Sequence, residues 1–254
     1  MNGKKGIIVG ILYCDGDRFK KALVASASWL SENSETLNRL NVFPVPDGDT
    51  GTNMSLTLIS AVDELKDMEN APLEEVLEAS ARGALMGARG CSGVIISQLI
   101  AGFAEIGRGR ARLRPLDIIA GFHLGSKRAY QAVTEPVEGT ILTVIRESAE
   151  ETTKALAVNF PDKIDMIGLL ERVLDKAKSS LQNTPNLLPV LAQAGVVDAG
   201  GQGFVFILEG ILRLVKGESL EVKTKSEIQP IGTAQKLVFD SWDTPYCSEF
   251  FLMP

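Results

Sequence analysis

Apolar residues recur at spacings of three and four along most of this chain, and that periodicity restricts it to helix-on-helix packing. Phe19, Leu23, Ala27 and Leu30 share one helical face. Met54, Leu58, Val62 and Leu65 repeat the pattern, as do Met166, Leu170, Val173, Ala177 and Leu181. Further apolar helical runs fall near 73–85, 93–106, 115–133, 140–157 and 202–216. No stretch before residue 217 alternates as a half-buried strand does. The expected fold is therefore all-α, with roughly eight helices. Beyond residue 217 the texture changes. Ser219-Leu220-Glu221-Val222-Lys223-Thr224-Lys225 alternates and reads as an extended linker or edge strand. Residues 226–254 have no complete core pattern and read as the truncated start of a second unit. The expected division is a leader over 1–16, a helical domain over 17–217, and a linker with the beginning of a second domain over 218–254.

Composition narrows the function classes. Of the 254 residues 45% are hydrophobic and 23% charged, and the net charge is -6, an ordinary balance for a water-soluble globular domain. An acidic chain without a basic stripe is a poor match for nucleic acid, whose phosphates demand neutralisation. Arg108, Arg110, Arg112 and Arg114 form a small basic cluster that reads as a solvated helix connection. Cys14, Cys91 and Cys247 include no CxxC pair, which fits a reducing cytoplasm rather than a disulfide framework. The single histidine, His123, excludes histidine-rich zinc sites and HExxH proteases, and its setting reads as helix interior. The apolar run Ile7–Leu12 is too short to span a bilayer.

The breaks between helices hold the chemistry. Asn41-Val42-Phe43-Pro44-Val45-Pro46-Asp47-Gly48-Asp49-Thr50-Gly51 is a loop, because both prolines oppose helix. Thr52 or Asn53 is the expected cap of the helix that follows. Asp47 and Asp49 flank one glycine, with no Lys or Arg between Leu40 and Lys66. Two carboxylates held together repel each other, and a divalent cation relieves this. Oxygen-only ligands of this kind suit magnesium. Asp-Gly is also a common turn dipeptide, so the pair alone is equally compatible with an acidic turn. The acidic turn, however, runs straight into a helix start, where unpaired N–H groups favour phosphate. Gly90-Cys91-Ser92-Gly93 is a second such start, with helix packing through small residues as its alternative. Asn183-Thr184-Pro185-Asn186 and Asp198-Ala199-Gly200-Gly201-Gln202-Gly203 read as two further turns. There is no GxxxxGK[ST], no GxGxxG between strand and helix, and no HRD or DFG.

The segment from Asn41 to Met54 is very similar to the signature of the fatty acid kinase catalytic protein, within the superfamily of dihydroxyacetone kinase nucleotide-binding domains. Three more segments agree in order: Gly87–Ile95, Pro136–Val144, and Asn183–Asn186 leading to Gly195–Gly203. The resemblance covers about residues 17–215. It implies an antiparallel barrel of about eight helices with nucleotide at one end. It also implies ATP or ADP held with two magnesium ions, Asp47 and Asp49 as metal-binding catalytic residues, and Asn41 near a further ligand position. Thr50, Thr52 and Asn53 would meet phosphates. Gly90, Cys91, Ser92 and Gly93 would form the phosphate-binding helix start, Cys91 standing where the family usually has Asn. Thr140, Ile141 and Leu142 would lie by the adenine, and Asp198 and Gly200 would close the site. Tyr246-Cys247-Ser248-Glu249-Phe250 resembles the opening of the family's second domain, without the histidines that would complete a metal site there.

The activity this implies is transfer of the ATP γ-phosphoryl group to a fatty acid carboxylate presented by a separate fatty-acid-binding protein, giving an acyl phosphate. A carboxylate acceptor needs no general base. The alternatives are a dihydroxyacetone-type kinase subunit with a hydroxyl acceptor, and a nucleotide-binding regulatory module without turnover. A cytoplasmic location, no nucleic-acid partner and no membrane span are expected, and a homodimer is left open.

Overall fold

The computed structural model describes residues 11–158 and 165–217. Within them the chain forms ten helices: α1 (Gly16–Glu32), α2 (Ser34–Leu40), α3 (Thr50–Asp63), α4 (Leu73–Met86), α5 (Gly90–Gly107), α6 (Pro115–Gln131), α7 (Ile141–Val158), α8 (Met166–Leu187), α9 (Pro189–Ala194) and α10 (Ala199–Val215). The only β pairing among the described residues is a single antiparallel bridge, Cys14 to Leu113.

Eight long helices are the staves of a closed ring. α1 packs on α3, then α4, α5, α6, α7, α8 and α10 follow, each against the last, and α10 returns to α1. Neighbours alternate in direction because short links join them, and an even number of staves lets an antiparallel ring close without a parallel seam. The interior is filled by Phe204, Leu30, Met54, Leu58, Ile96, Ile145 and Leu169, all essentially inaccessible. Phe103 of α5 meets Phe122 of α6 edge to face at 5.1 Å, and Phe122 meets Phe204 of α10 at 6.4 Å, the T-shaped geometry that aromatic quadrupoles favour. At the α10–α1 seam, Trp29 Nε1 donates to Glu209 at 3.2 Å and Arg213 stacks on the indole face at 3.6 Å. α5 is long and apolar enough to cross a membrane by length and composition; in this fold it is a stave between α4 and α6.

The expected all-α barrel is the observed one, and the structure refines it in three places. The short helices α2 and α9 had no counterpart in the periodicity. Residues 183–186 are not a turn: α8 continues to Leu187 with Pro185 inside it. Proline has no N–H for the Leu181 carbonyl one turn back. The Thr184 hydroxyl takes that acceptor instead, at 2.7 Å. Finally, residues 11–15, read as leader, are tied to the barrel: the Ile11 carbonyl accepts from Met166 N and Cys14 pairs with Leu113, both at 2.8 Å. The anticipated linker and second unit over 218–254 lie outside the described residues.

Alternation of the staves decides where function can sit. The N-termini of α3, α5, α7 and α10 all face one end, served by the links 41–49, 87–89, 132–140 and 188–198. The other end gathers 11–15, 64–72 and 108–114. The arginine cluster is there, as the α5–α6 connection. Arg110 pairs with Asp117 at 3.2 Å and Arg112 lies over the Tyr13 ring.

Candidate nucleotide site at the barrel mouth

The loop into α3 is held from two sides. Val42 is buried with Leu188 and Leu191, and Phe43 packs on the same small cluster, so the loop folds over the entrance to α10. The Phe43–Pro44 peptide is cis, and Pro44, Val45, Pro46 and Asp47 are exposed. Asn41 is buried; its Nδ2 donates to Asp47 Oδ1 at 2.7 Å. The Asn41 Oδ1 is inaccessible and accepts no hydrogen bond. Asp47 and Asp49 lie within hydrogen-bonding reach of each other. Burial lifts the Asp49 carboxyl above its usual value, the neighbouring Asp47 adds to the rise, and the Asn53 side chain opposes it. The loop therefore presents two crowded carboxylates, with a buried, unpartnered amide oxygen behind them. Such a hard-oxygen donor set fits a divalent cation that takes its remaining ligands from water and phosphate. Among the described residues no three His, Cys, Asp or Glu side chains are grouped so as to hold a metal ion by themselves; the Asn41 amide, bonded to Asp47, lies beside the pair.

The cap of α3 is not Thr52 or Asn53. The helix begins at Thr50, and its N-cap Asp49 makes no side-chain cap. Asn38 of α2 caps it instead: its Oδ1 accepts from Gly51 N at 2.8 Å and Thr52 N at 3.2 Å, and its Nδ2 donates to Thr52 Oγ1 at 3.1 Å. α2 fits this closely because Gly51 has no side chain; a Cβ there would lie 2.0 Å from the Ser34 carbonyl oxygen.

α5 starts beside α3. Gly90 has φ +59° and the space for its Cβ is taken by Asn53 Nδ2 at 2.8 Å, so both conformation and contact require glycine. Thr57 Oγ1 donates to the Asn53 carbonyl at 2.8 Å and accepts from Arg89 N at 3.3 Å. The N-cap Arg89 supplies no side-chain cap. Cys91 and Ser92 are half-buried in this first turn, and Gly93 is buried against Thr57.

Across the mouth, one carboxylate sits where two helices begin. Asp198 is 5% exposed. It accepts from Gly201 N of α10 at 2.7 Å and lies beside the Ile141 backbone at the start of α7. Burial pushes its pKa up to about 6, against those two backbone groups. Its own N–H donates to Thr184 Oγ1 at 3.1 Å. The preceding link is held by a polar network. Glu138 receives Tyr130 Oη at 2.8 Å, Thr143 Oγ1 at 2.6 Å and Arg146 at 2.9 Å, while Gly139 N donates to Thr143 Oγ1 at 2.8 Å. Burial alone would raise the Glu138 carboxyl, but bonds from Thr143, Arg146 and Tyr130 hold it below its usual value.

The structure thus brings Asn41, Asp47, Asp49, Thr50, Thr52, Asn53, the Gly90–Gly93 turn, Thr140 and Asp198 to one end. Not all of them face outward. Ile141 and Leu142 are core side chains, Thr50 and Thr140 are buried, and Gly200 is buried against Ile141. Asp198 is engaged as a cap. Sequence reasoning missed Asn38 and the Glu138–Arg146 network. Asn38 left one trace: a polar residue between Leu37 and Leu40, three residues before Asn41. A groove of about 440 Å³ lies at the opposite end, lined by Asp17, Lys20, Lys21, Met68, Asn70 and Leu214; it holds none of this chemistry, and the donor set rather than the volume marks the site.

Comparison with known proteins bears on the fold and the family. YloV of Bacillus subtilis is 43% identical over 209 residues, covering 82% of this chain and 37% of its own length. An uncharacterized protein of Staphylococcus aureus (strain USA300) matches to the same extent. The chain thus spans little more than a third of these relatives. Among solved structures, the dihydroxyacetone kinase of C. freundii in complex with AMP-PNP and Mg2+ superposes with a TM-score of 0.57 at 15% identity, over 84% of this chain and 37% of that one. Identity that low speaks for the fold alone. The DAK2 domain family matches residues 44–213, from the acidic loop through α10. That span holds Asp47, Asp49 and seven of the eight staves, all but α1, and the chain belongs to the DAK2 domain family.

Proposed function

We propose that the chain is an ATP- and magnesium-dependent kinase domain that passes the γ-phosphoryl group to a fatty acid carboxylate held by a separate fatty-acid-binding protein, giving an acyl phosphate. The observation behind this reading is the pair Asp47 and Asp49, crowded at a mouth where four helix N-termini meet, with the unpartnered Asn41 Oδ1 beside them. Asp47, Asp49 and Asn41 would hold magnesium, which supplies charge neutralisation along the phosphates. Thr52, Asn53 and the Gly90–Gly93 turn would orient the phosphates. The C. freundii kinase was crystallised with AMP-PNP and Mg2+, which supports nucleotide and magnesium in the fold. The long similarity from Asn41 to Met54 favours the fatty acid branch over a hydroxyl acceptor. A carboxylate attacks as the anion it already is near neutral pH, so positioning and electrostatics suffice.

The acceptor is tested by incubating the chain with magnesium, ATP and a long-chain fatty acid on its binding protein, and trapping acyl phosphate with hydroxylamine. Hydroxamate that depends on all components supports the reading. ATP consumption with dihydroxyacetone and none with fatty acid would replace the acceptor. Tight nucleotide binding with no transfer to either would leave a regulatory module.

A further inference from the structure

We propose that Asn38 is a positioning residue that commits the Thr52 hydroxyl to donating its hydrogen bond toward the nucleotide phosphates. The inference rests on the nucleotide site proposed above.

The orientation of the Asn38 amide follows from its partners. Backbone N–H groups only donate, so the atom facing Gly51 N at 2.8 Å and Thr52 N at 3.2 Å is the oxygen. The NH2 then faces Thr52 Oγ1 at 3.1 Å, and there it donates. Asn38 is 7% exposed, so water does not compete for these bonds. Thr52 Oγ1 is thereby used as an acceptor, and among the described residues no group takes its proton. The same amide occupies two first-turn N–H groups of α3. That helix start therefore offers phosphate its side chains, Thr52 and Asn53, rather than its backbone at Gly51 and Thr52. A hydroxyl without a fixed partner can give its single proton to any nearby acceptor. One already accepting from Asn38 is a fixed donor, and its bond to a phosphate oxygen is charge-assisted.

Asn38→Asp separates this from a merely structural role. The carboxylate keeps the two backbone N–H bonds and suits a helix N-terminus, so the cap and the melting temperature are retained. Its second oxygen accepts, so the Thr52 hydroxyl turns inward and is lost to the phosphates. Titrating ATP with magnesium into the chain, Asn38→Asp, Thr52→Val and the double variant should give affinities about tenfold weaker for each single variant. The double variant should be no weaker than Thr52→Val. Were the added charge simply repelling phosphate, Asn38→Asp would weaken the Thr52→Val background just as much, and the proposal would fall. It also falls if Asn38→Asp binds as the parent does, or if Thr52→Val leaves affinity unchanged. A parent chain that binds no nucleotide removes the site itself, a result distinct from these.

Discussion

Asp198 illustrates how one buried residue shapes the mouth. A single carboxylate caps the first turn of α10 and lies against the backbone that starts α7, where the two staves begin. Because burial raises its pKa to about 6, the folded chain holds this proton more tightly than the unfolded chain does. Its titration therefore adds stability that is full below about pH 4 and lost as pH rises through about 6. Asp198→Asn leaves one acceptor oxygen and turns an NH2 toward the other helix start, costing about 1–3 kcal/mol. In melting curves from pH 4 to 8, the gap between parent and variant should narrow as pH rises to about 6 and then stay constant. A gap that widens over that range would contradict the assignment. Much of the residue-scale chemistry was legible in the sequence where it lies in consecutive residues. The acidic loop, the glycine-punctuated α5 start and the α10 turn are local turn chemistry. The Asn38 cap was not legible, because it joins residues 13 and 14 positions apart. The approach of Asp198 to Ile141 spans still more chain.

At the scale of elements, the long helices declared themselves through periodicity, and their packing is written in the small residues between them. Gly102 of α5 approaches Gly125 of α6 so closely that a Cβ would lie 2.4 Å from Gly125 N. Backbone cannot swing aside as a side chain can, so Gly102→Ala should destabilise the barrel by about 1–3 kcal/mol. Gly168 near the start of α8 meets no atom of the described residues closer than 3.6 Å, and there Gly168→Ala should stabilise by about 0.4–1 kcal/mol. Thermal melts of the two variants against the parent check both signs; equal shifts would contradict the packing argument. Helices α2 and α9 escaped the sequence because six or seven residues do not complete two turns of pattern. Pro185 was read as a break since proline usually ends a helix. Thr184 removes part of that cost locally, and a hydroxyl rotamer leaves no mark in periodicity.

For the whole molecule, the count of staves matters more than any one of them. An even, antiparallel ring sends every second N-terminus to one end, so four helix starts and their links share the mouth, while the link carrying Arg108, Arg110, Arg112 and Arg114 lies at the other. That topology explains how Asn41, Asp47 and Asp49 come to lie with Gly90–Gly93 and the α7 and α10 starts, from stretches of chain as far apart as Asn41 and Ala199. Local pattern revealed the staves and the resemblance implied the ring; periodicity alone leaves their order around it undetermined. The central claim is that this mouth binds nucleotide through a metal held by the acidic loop. Calorimetric titration of ATP and ADP, with and without magnesium, into the chain and into Asp47→Ala and Asp49→Ala tests it most directly. Magnesium-dependent binding lost in both variants, with helicity intact by circular dichroism, is the predicted result. Binding indifferent to magnesium and to both substitutions would contradict it.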